Sequence, residues 1–292
     1  MGTGIRSLVA LAAVALSAVA ATSAGAVHLS AEVHGLTDAN RIVSFSAASP
    51  GDIENNVEVS GLQAGESLIG IDFRPVDGKL WAVGKLGTAG RTYTIDPDSG
   101  QATFVAALVN AADGTPIALQ GSSFGFDFNP AADALRIVSD TGQNLRALPS
   151  DRLVAGVQRR TGDTFVDGTL NYAGTTATGV GGAGYTNNDV DPATGTTLYD
   201  IDPSLDDLVM QNPPNSGTLV KVADLGTPTG LLVGFDVRTV GTTNVAYVAT
   251  TEQRGNGATL ATLHTVDLVT GATGTLGKIG GPKTIRGIAV AP

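Results

Sequence analysis

Three aspartates occupy the same place in a phrase that recurs along the chain. The phrase reads GIDFRP from Gly70, GFDFNP from Gly125, AGYTN around Gly184, GFDV from Gly234 and GIAVAP from Gly287, with its glycines 50–59 residues apart. Two residues after each glycine stand Asp72, Asp127, Thr186, Asp236 and Ala289. Carboxylates gathered by such a repeat suit an oxygen-seeking cation, and Asp72, Asp127 and Asp236 are the candidate metal ligands, with calcium the candidate ion. The same three groups raise one another's pKa when close, which is how a metal-assisted hydrolase or lyase would prepare an acid and a base at a central channel. The plainer reading is that each aspartate accepts hydrogen bonds from neighbouring backbone or hydroxyls, Thr186 among them.

Other strings match familiar chemistry without the context their mechanisms need. GSSFG, with Ser123 at its centre, has the spacing of a nucleophile elbow but leads into a strand, not a helix. A hydroxyl nucleophile also wants a histidine, and the three available are His28, His34 and His264. GVGGAG, from Gly179 to Gly184, has dinucleotide-loop spacing yet precedes a strand, so it reads as a flexible turn. DVDPATGTTLYD sets Asp189, Asp191 and Asp200 at spacing near that of a calcium loop, but its glycine comes one residue late and the closing Glu is missing; a hairpin turn is the expectation. Trp81 is expected to fill space between sheets. No catalytic residue is assigned.

The elements that would position the aspartates follow from the repeat itself. Its period fits propeller blades and is too long for leucine-rich or helical-hairpin solenoids. The unit from Leu68 to Leu108 shows four short strands: one ending at Phe73, then Leu80 to Val83, Arg91 to Ile95 and Thr103 to Ala106. Asp96 to Gly100, DPDSG, is a tight reversal between the last two. Around Leu263 the alternation sends Leu263 and Thr265 one way and His264, Val266 and Leu268 the other. The fold class expected is all-β, a closed propeller-like ring whose last blade combines both chain termini, with Arg41 to Phe45 as a third strand. Five blades are preferred; six stays open, because the strands between Asp140 and Gly181 are hard to place.

The phrases GIDFRP, LWAVG, GFDFNP, LRIVSD, GQNLR, LNYAG and TLYDID together resemble a family of bacterial exported proteins, domain of unknown function 4394. That family has no assigned reaction. The resemblance spans almost all of the chain after residue 26; it implies a propeller-like extracellular domain and carries over no catalytic residue.

Composition and the first residues frame the function. Arg6, the apolar run Leu8 to Ala20 and the triplet Ala24-Gly25-Ala26 read as an export signal over residues 1–26, with cleavage before Val27. The mature domain is then 27–292, secreted, periplasmic or at the cell surface, with no membrane anchor left after cleavage. The chain holds no cysteine, so neither disulfides nor thiolate chemistry are available. A formal charge of −10 argues against nucleic acid as a partner. The expectation is a monomeric exported binding or scaffold module for an extracellular ligand, a glycan, peptide or surface polymer, with a surface-layer role also open. The alternative is the metal-assisted hydrolase or lyase.

Overall fold

The computed structural model describes residues 31–230, 232–253, 259–281 and 284–292. The signal segment, its cleavage point and His28 lie outside the described residues. Short runs of β-branched and aromatic residues, bounded by turn formers, fold into strands, and among the described residues the one helical element is a single 3-10 turn at Pro214–Ser216.

Five antiparallel sheets form the blades. Blade 1 runs, from the axis outward, Ile285–Val290, Glu32–Thr37, Arg41–Ser46 and Ile53–Glu58. Blade 2 is Ser67–Phe73, Leu80–Leu86, Ala89–Ile95 and Ala102–Ala107. Blade 3 is Phe124–Asn129, Ala134–Ser139, Asn144–Ala147 and Asp163–Val166, extended by Val109–Asn110 in parallel. Blade 4 is Gly182–Tyr185, Leu198–Asp202, Asp207–Gln211 and Leu219–Asp224. Blade 5 is Leu232–Val240, Thr243–Gln253, Thr259–Val266 and Thr273–Lys278. The ring closes as the repeat implies: the last strand pairs antiparallel with the first described one, Val33 opposite Val290 and Gly35 opposite Ile288. Its inner strand sits between those of blades 5 and 2.

The difficult stretch after Asp140 belongs to blade 3 and holds no sixth blade. A hairpin, Arg152–Val154 with Val157–Arg159, is inserted between its third and fourth strands, and a second, Asn171–Tyr172 with Thr175–Thr176, leads to blade 4. These strands are two to four residues long, too short for a period to show.

Each of the five seams between blades has its own apolar cluster. Leu36 and Ile42 meet Leu80 and Tyr93 at the seam of blades 1 and 2; Trp81 and Val83 meet Phe126 and Phe128 at the next. Val138 meets Tyr185 and Val209, Leu208 meets Phe235 and Val248, and Leu263 meets Val43 and Phe45. A blade is therefore buried on both faces, which is why Leu263 and Val266 point opposite ways and are both covered.

The repeat glycine is required by the close approach of inner strands. A Cβ on Gly70 would lie 2.5 Å from Phe126 Cβ, one on Gly125 would lie 2.6 Å from the Gly182 carbonyl carbon, and one on Gly234 would lie 2.7 Å from the Ile288 nitrogen. At Gly287 the neighbour is itself a glycine and the nearest atom, Gly70 Cα, is 3.8 Å away. Gly125→Ala is therefore expected to push two backbones apart and lower the melting temperature by roughly 5–10 °C, an overpacking cost of about 1–3 kcal/mol. Gly287→Ala should leave it within about 2 °C. Thermal unfolding of the two variants side by side checks this; equal losses would sink the close-approach account.

Candidate functional site

Asp72, Asp127 and Asp236, from the inner strands of blades 2, 3 and 5, do converge. One carboxylate oxygen of each lies within 4.8 Å of those of the other two. They are sealed, with relative exposures of 6%, 4% and 4%. Each also reaches across a seam. The Phe128 N–H donates to Asp72 Oδ2 at 2.8 Å, the Tyr185 N–H donates to Asp127, and the Val290 N–H donates to Asp236 Oδ2 at 2.6 Å. Asp236 Oδ1 accepts from its own neighbour, the Val237 N–H, at 2.6 Å. The aspartates thus stitch each inner strand to the next, the backbone-acceptor role expected of them.

These bonds correct the alignment in blade 4. Phe128 and Val290 each follow the repeat position by one residue, so Tyr185 does too, and the position belongs to Gly184, not Thr186. Thr186 lies past the inner strand, where its Oγ1 accepts from the Thr197 N–H at 2.9 Å and serves its own hairpin. The run of glycines from Gly179 to Gly184 let sequence matching slip by two: Gly182, not Gly184, faces the backbone of Gly125.

Burial dominates the electrostatics. It pushes Asp72 well above the usual carboxylate range, with the charge of Asp236 adding to it, and does the same for Asp127, with Asp72 and Asp236 adding. Asp236 is pushed up to about 6 by burial, held there by the Val290 and Val237 N–H groups and by a hydrogen bond with the Asp127 carboxyl. The space left on the axis between Gly70, Gly125, Gly182, Gly234 and Gly287 is about 10 Å³, at the lower limit for a single water. None of the three aspartates lines that space, and their carboxylates meet buried from solvent.

The remaining motifs resolve structurally. Ser123 is buried just before the inner strand of blade 3; the hydroxyl that bonds an acid there is that of Ser122, to Asp140 at 2.6 Å. His34 packs edge-on against Phe73 at 5.1 Å, its pKa lowered by burial to about 4, and His264 lies between Thr250 and Thr275. Asp189 and Asp191 cap the expected hairpin turn through Thr194 and Ala193, while Asp200 is withdrawn into a strand. Trp81 fills the seam of blades 2 and 3, edge-on to Phe128 at 5.6 Å.

Sequence reading missed the polar network inside the seam of blades 3 and 4. Arg136 is 2% exposed; its Nη1 donates to Asp167 at 2.8 Å and to Asn144 at 2.7 Å, its Nη2 to Asn215 at 2.8 Å and its Nε to the Tyr185 hydroxyl at 3.3 Å. Facing it, Asp200 is fully buried, and neither carboxylate oxygen has a hydrogen-bond partner. Burial raises its pKa to about 8 against the pull of Arg136, and its charge acts in turn on Asp127. The available signal was an arginine inside the apolar run LRIVS.

The chain matches the family described as Domain of unknown function (DUF4394) over residues 41–289, and it belongs to that family. Among solved structures, it is similar to a chain of a nidogen/laminin complex, at 12% identity and a TM-score of 0.45, covering 90% of this chain and 98% of that one. It is also similar to a protein from Lactobacillus plantarum, at 15% identity and a TM-score of 0.37, covering 89% and 71%. No match was found among curated proteins.

Proposed function

We propose that this member of the family is an exported binding or scaffold module that takes a polyhydroxylated ligand, a glycan or surface polymer, on the outer surface of the ring. The observation that carries the reading is a groove of about 620 Å³ at the seam of blades 4 and 5, lined by Thr186, Thr197, Tyr199, Thr243, Asn244 and Thr265. Such a row of hydroxyl and amide groups beside one tyrosine offers donors and acceptors in alternation, the chemistry that recognises sugar hydroxyls. The hydrolase alternative would need substrate to reach Asp72, Asp127 and Asp236, and their burial argues against it. Among the described residues no helix is long and apolar enough to cross a membrane.

The mature domain should bind members of a glycan and cell-wall polymer panel. Tyr199→Phe and Thr243→Val should each weaken that binding by up to about tenfold, the loss of one hydrogen bond, without lowering the melting temperature. Surface plasmon resonance on immobilised polymers measures it. Turnover of an ester or glycoside that Asp127→Asn abolishes would favour the hydrolase instead.

A further inference from the structure

We infer a second binding site, at the opposite end of the ring, where Arg286 receives the carboxylate of an acidic glycan. Arg286 is the second residue of the last inner strand, and the inner strands approach one another at their repeat glycines, so its end of the axis is the one where they all begin. Thr186, in the groove of blades 4 and 5, follows the far end of its own inner strand. A guanidinium carries five N–H donors. Among the described residues Arg286 uses one, from Nη1 to the Leu68 carbonyl at 3.2 Å, while its Nε is closed off from solvent without an acceptor. Burial holds its pKa below the usual arginine value, and the charge of Asp38 offsets that only in part. A buried donor left without an acceptor is where a structure asks for a ligand or water.

The surroundings select the ligand. Among the described residues Arg286 is the one charged group lining the space on the axis, whose roughly 10 Å³ takes about one oxygen atom. A carboxylate offers that oxygen, and its two-oxygen edge matches the planar guanidinium fork. Gly181 lies on the same rim, and a Cβ placed on it would be 2.5 Å from Ser123 Oγ. Ser123 in turn opens onto a cavity of about 500 Å³ that Ser122, Thr178 and Ser204 also line. Hydroxyls beside one unpaired cation suit a sugar that bears a carboxylate, a uronate, better than an apolar acid. Lys85 adds positive field on this side, its Nζ 5.2 Å above the ring of Phe124, which also lines the axial space. That Nζ already donates to the Gly121 carbonyl at 2.7 Å, which leaves Arg286 as the anchor. The site shares no residue with the groove of blades 4 and 5, so either can fail alone.

The test titrates the mature protein with an oligogalacturonate, with its methyl ester and with a short peptide that has a free C-terminal carboxylate, using isothermal titration calorimetry. The oligogalacturonate should bind at least about tenfold more tightly than the ester, and added salt should narrow that gap. Arg286→Gln should weaken binding of the acid by about ten- to a hundredfold and leave the ester unchanged, the loss of a charge-assisted hydrogen bond. Arg286→Lys should recover part of the affinity, since lysine keeps the charge and loses the fork. Tyr199→Phe should leave binding of the acid as it was. Equal affinity for acid and ester, or acid binding that a folded Arg286→Gln protein retains, would overturn the site. Tighter binding of the peptide than of the oligogalacturonate would overturn the assignment to a sugar. If Arg286→Gln does not fold, the comparison of acid, ester and peptide on the wild type decides by itself.

Discussion

A chain ending at residue 284 is expected not to fold, and to collect in the insoluble fraction. The missing strand carries Ile285, Ile288 and Val290, exposed by 0%, 2% and 5% in the intact ring. At about 1.5–3 kcal/mol for each fully buried side chain, the three contribute roughly 5–9 kcal/mol, an upper bound because an unfolded chain already covers part of its surface. Whole domains are stable by only about 5–15 kcal/mol. Two further losses add to this. The inner edge of Glu32–Thr37 is left unpaired, a template for aggregation, and Asp236 gives up the Val290 N–H that it accepts from deep inside the protein. A peptide spanning residues 285–292 supplied during refolding should restore part of the soluble protein, by pairing with Glu32–Thr37 as the terminal strand does in the intact ring. Soluble, monomeric truncated protein with an unchanged melting temperature would show that the ring does not depend on this closure.

That closing strand was legible in the sequence because GIAVAP repeats a phrase seen four times before, and the leftover residues at the two ends sum to about one repeat. Blade 2 was legible for a different reason: its strands are six or seven residues long and turn formers follow the first three, so Phe73, Leu80 and Ile95 mark boundaries a reader can place, with the fourth strand beginning at Ala102, one residue before the expected Thr103. The convergence of Asp72, Asp127 and Asp236 followed from their shared position in the repeat. What they do there did not, since burial and hydrogen bonding to the next blade depend on how tightly the inner strands approach, and the glycines that set that approach look in sequence like turn residues. The same ambiguity displaced the blade 4 position from Gly184 to Thr186. Asp200 and Arg136 fall outside the repeated phrase altogether. Their burial comes from the meeting of two faces that are distant in sequence, and the local pattern records only that Arg136 interrupts an apolar run.

In calcium-free buffer, stability should fall as pH rises from about 6.5 to 9, and Asp200→Asn should remove much of that fall. Asp200 has a folded pKa of about 8 against an ordinary 3.8, because burial without donors penalises its charged form. A raised pKa means that the folded state holds a proton the unfolded state has released. The contribution is therefore complete below about pH 4 and is lost as pH climbs through 8. Between pH 6.5 and 9 this one group costs on the order of 2 kcal/mol, or roughly 4–8 °C in melting temperature. Asp72 and Asp127, also raised by burial, act in the same direction, so the variant flattens the alkaline limb without abolishing it. His34 opposes them on the acid side: its folded pKa of about 4 lies below the usual 6.5, so its share is present above 6.5 and is lost as pH falls through 4. Between about pH 4 and 6.5 the contributions of His34 and Asp200 offset each other, and above 6.5 the loss from Asp200 is unopposed. An asparagine at position 200 carries a constant cost or gain at every pH, but it cannot ionise, so the quantity to compare is the difference between melting temperatures at pH 6.5 and pH 9. Equal differences in wild type and variant would mean that Asp200 keeps one protonation state throughout that window, and that the unpartnered oxygens of the seam are charged or paired in solution.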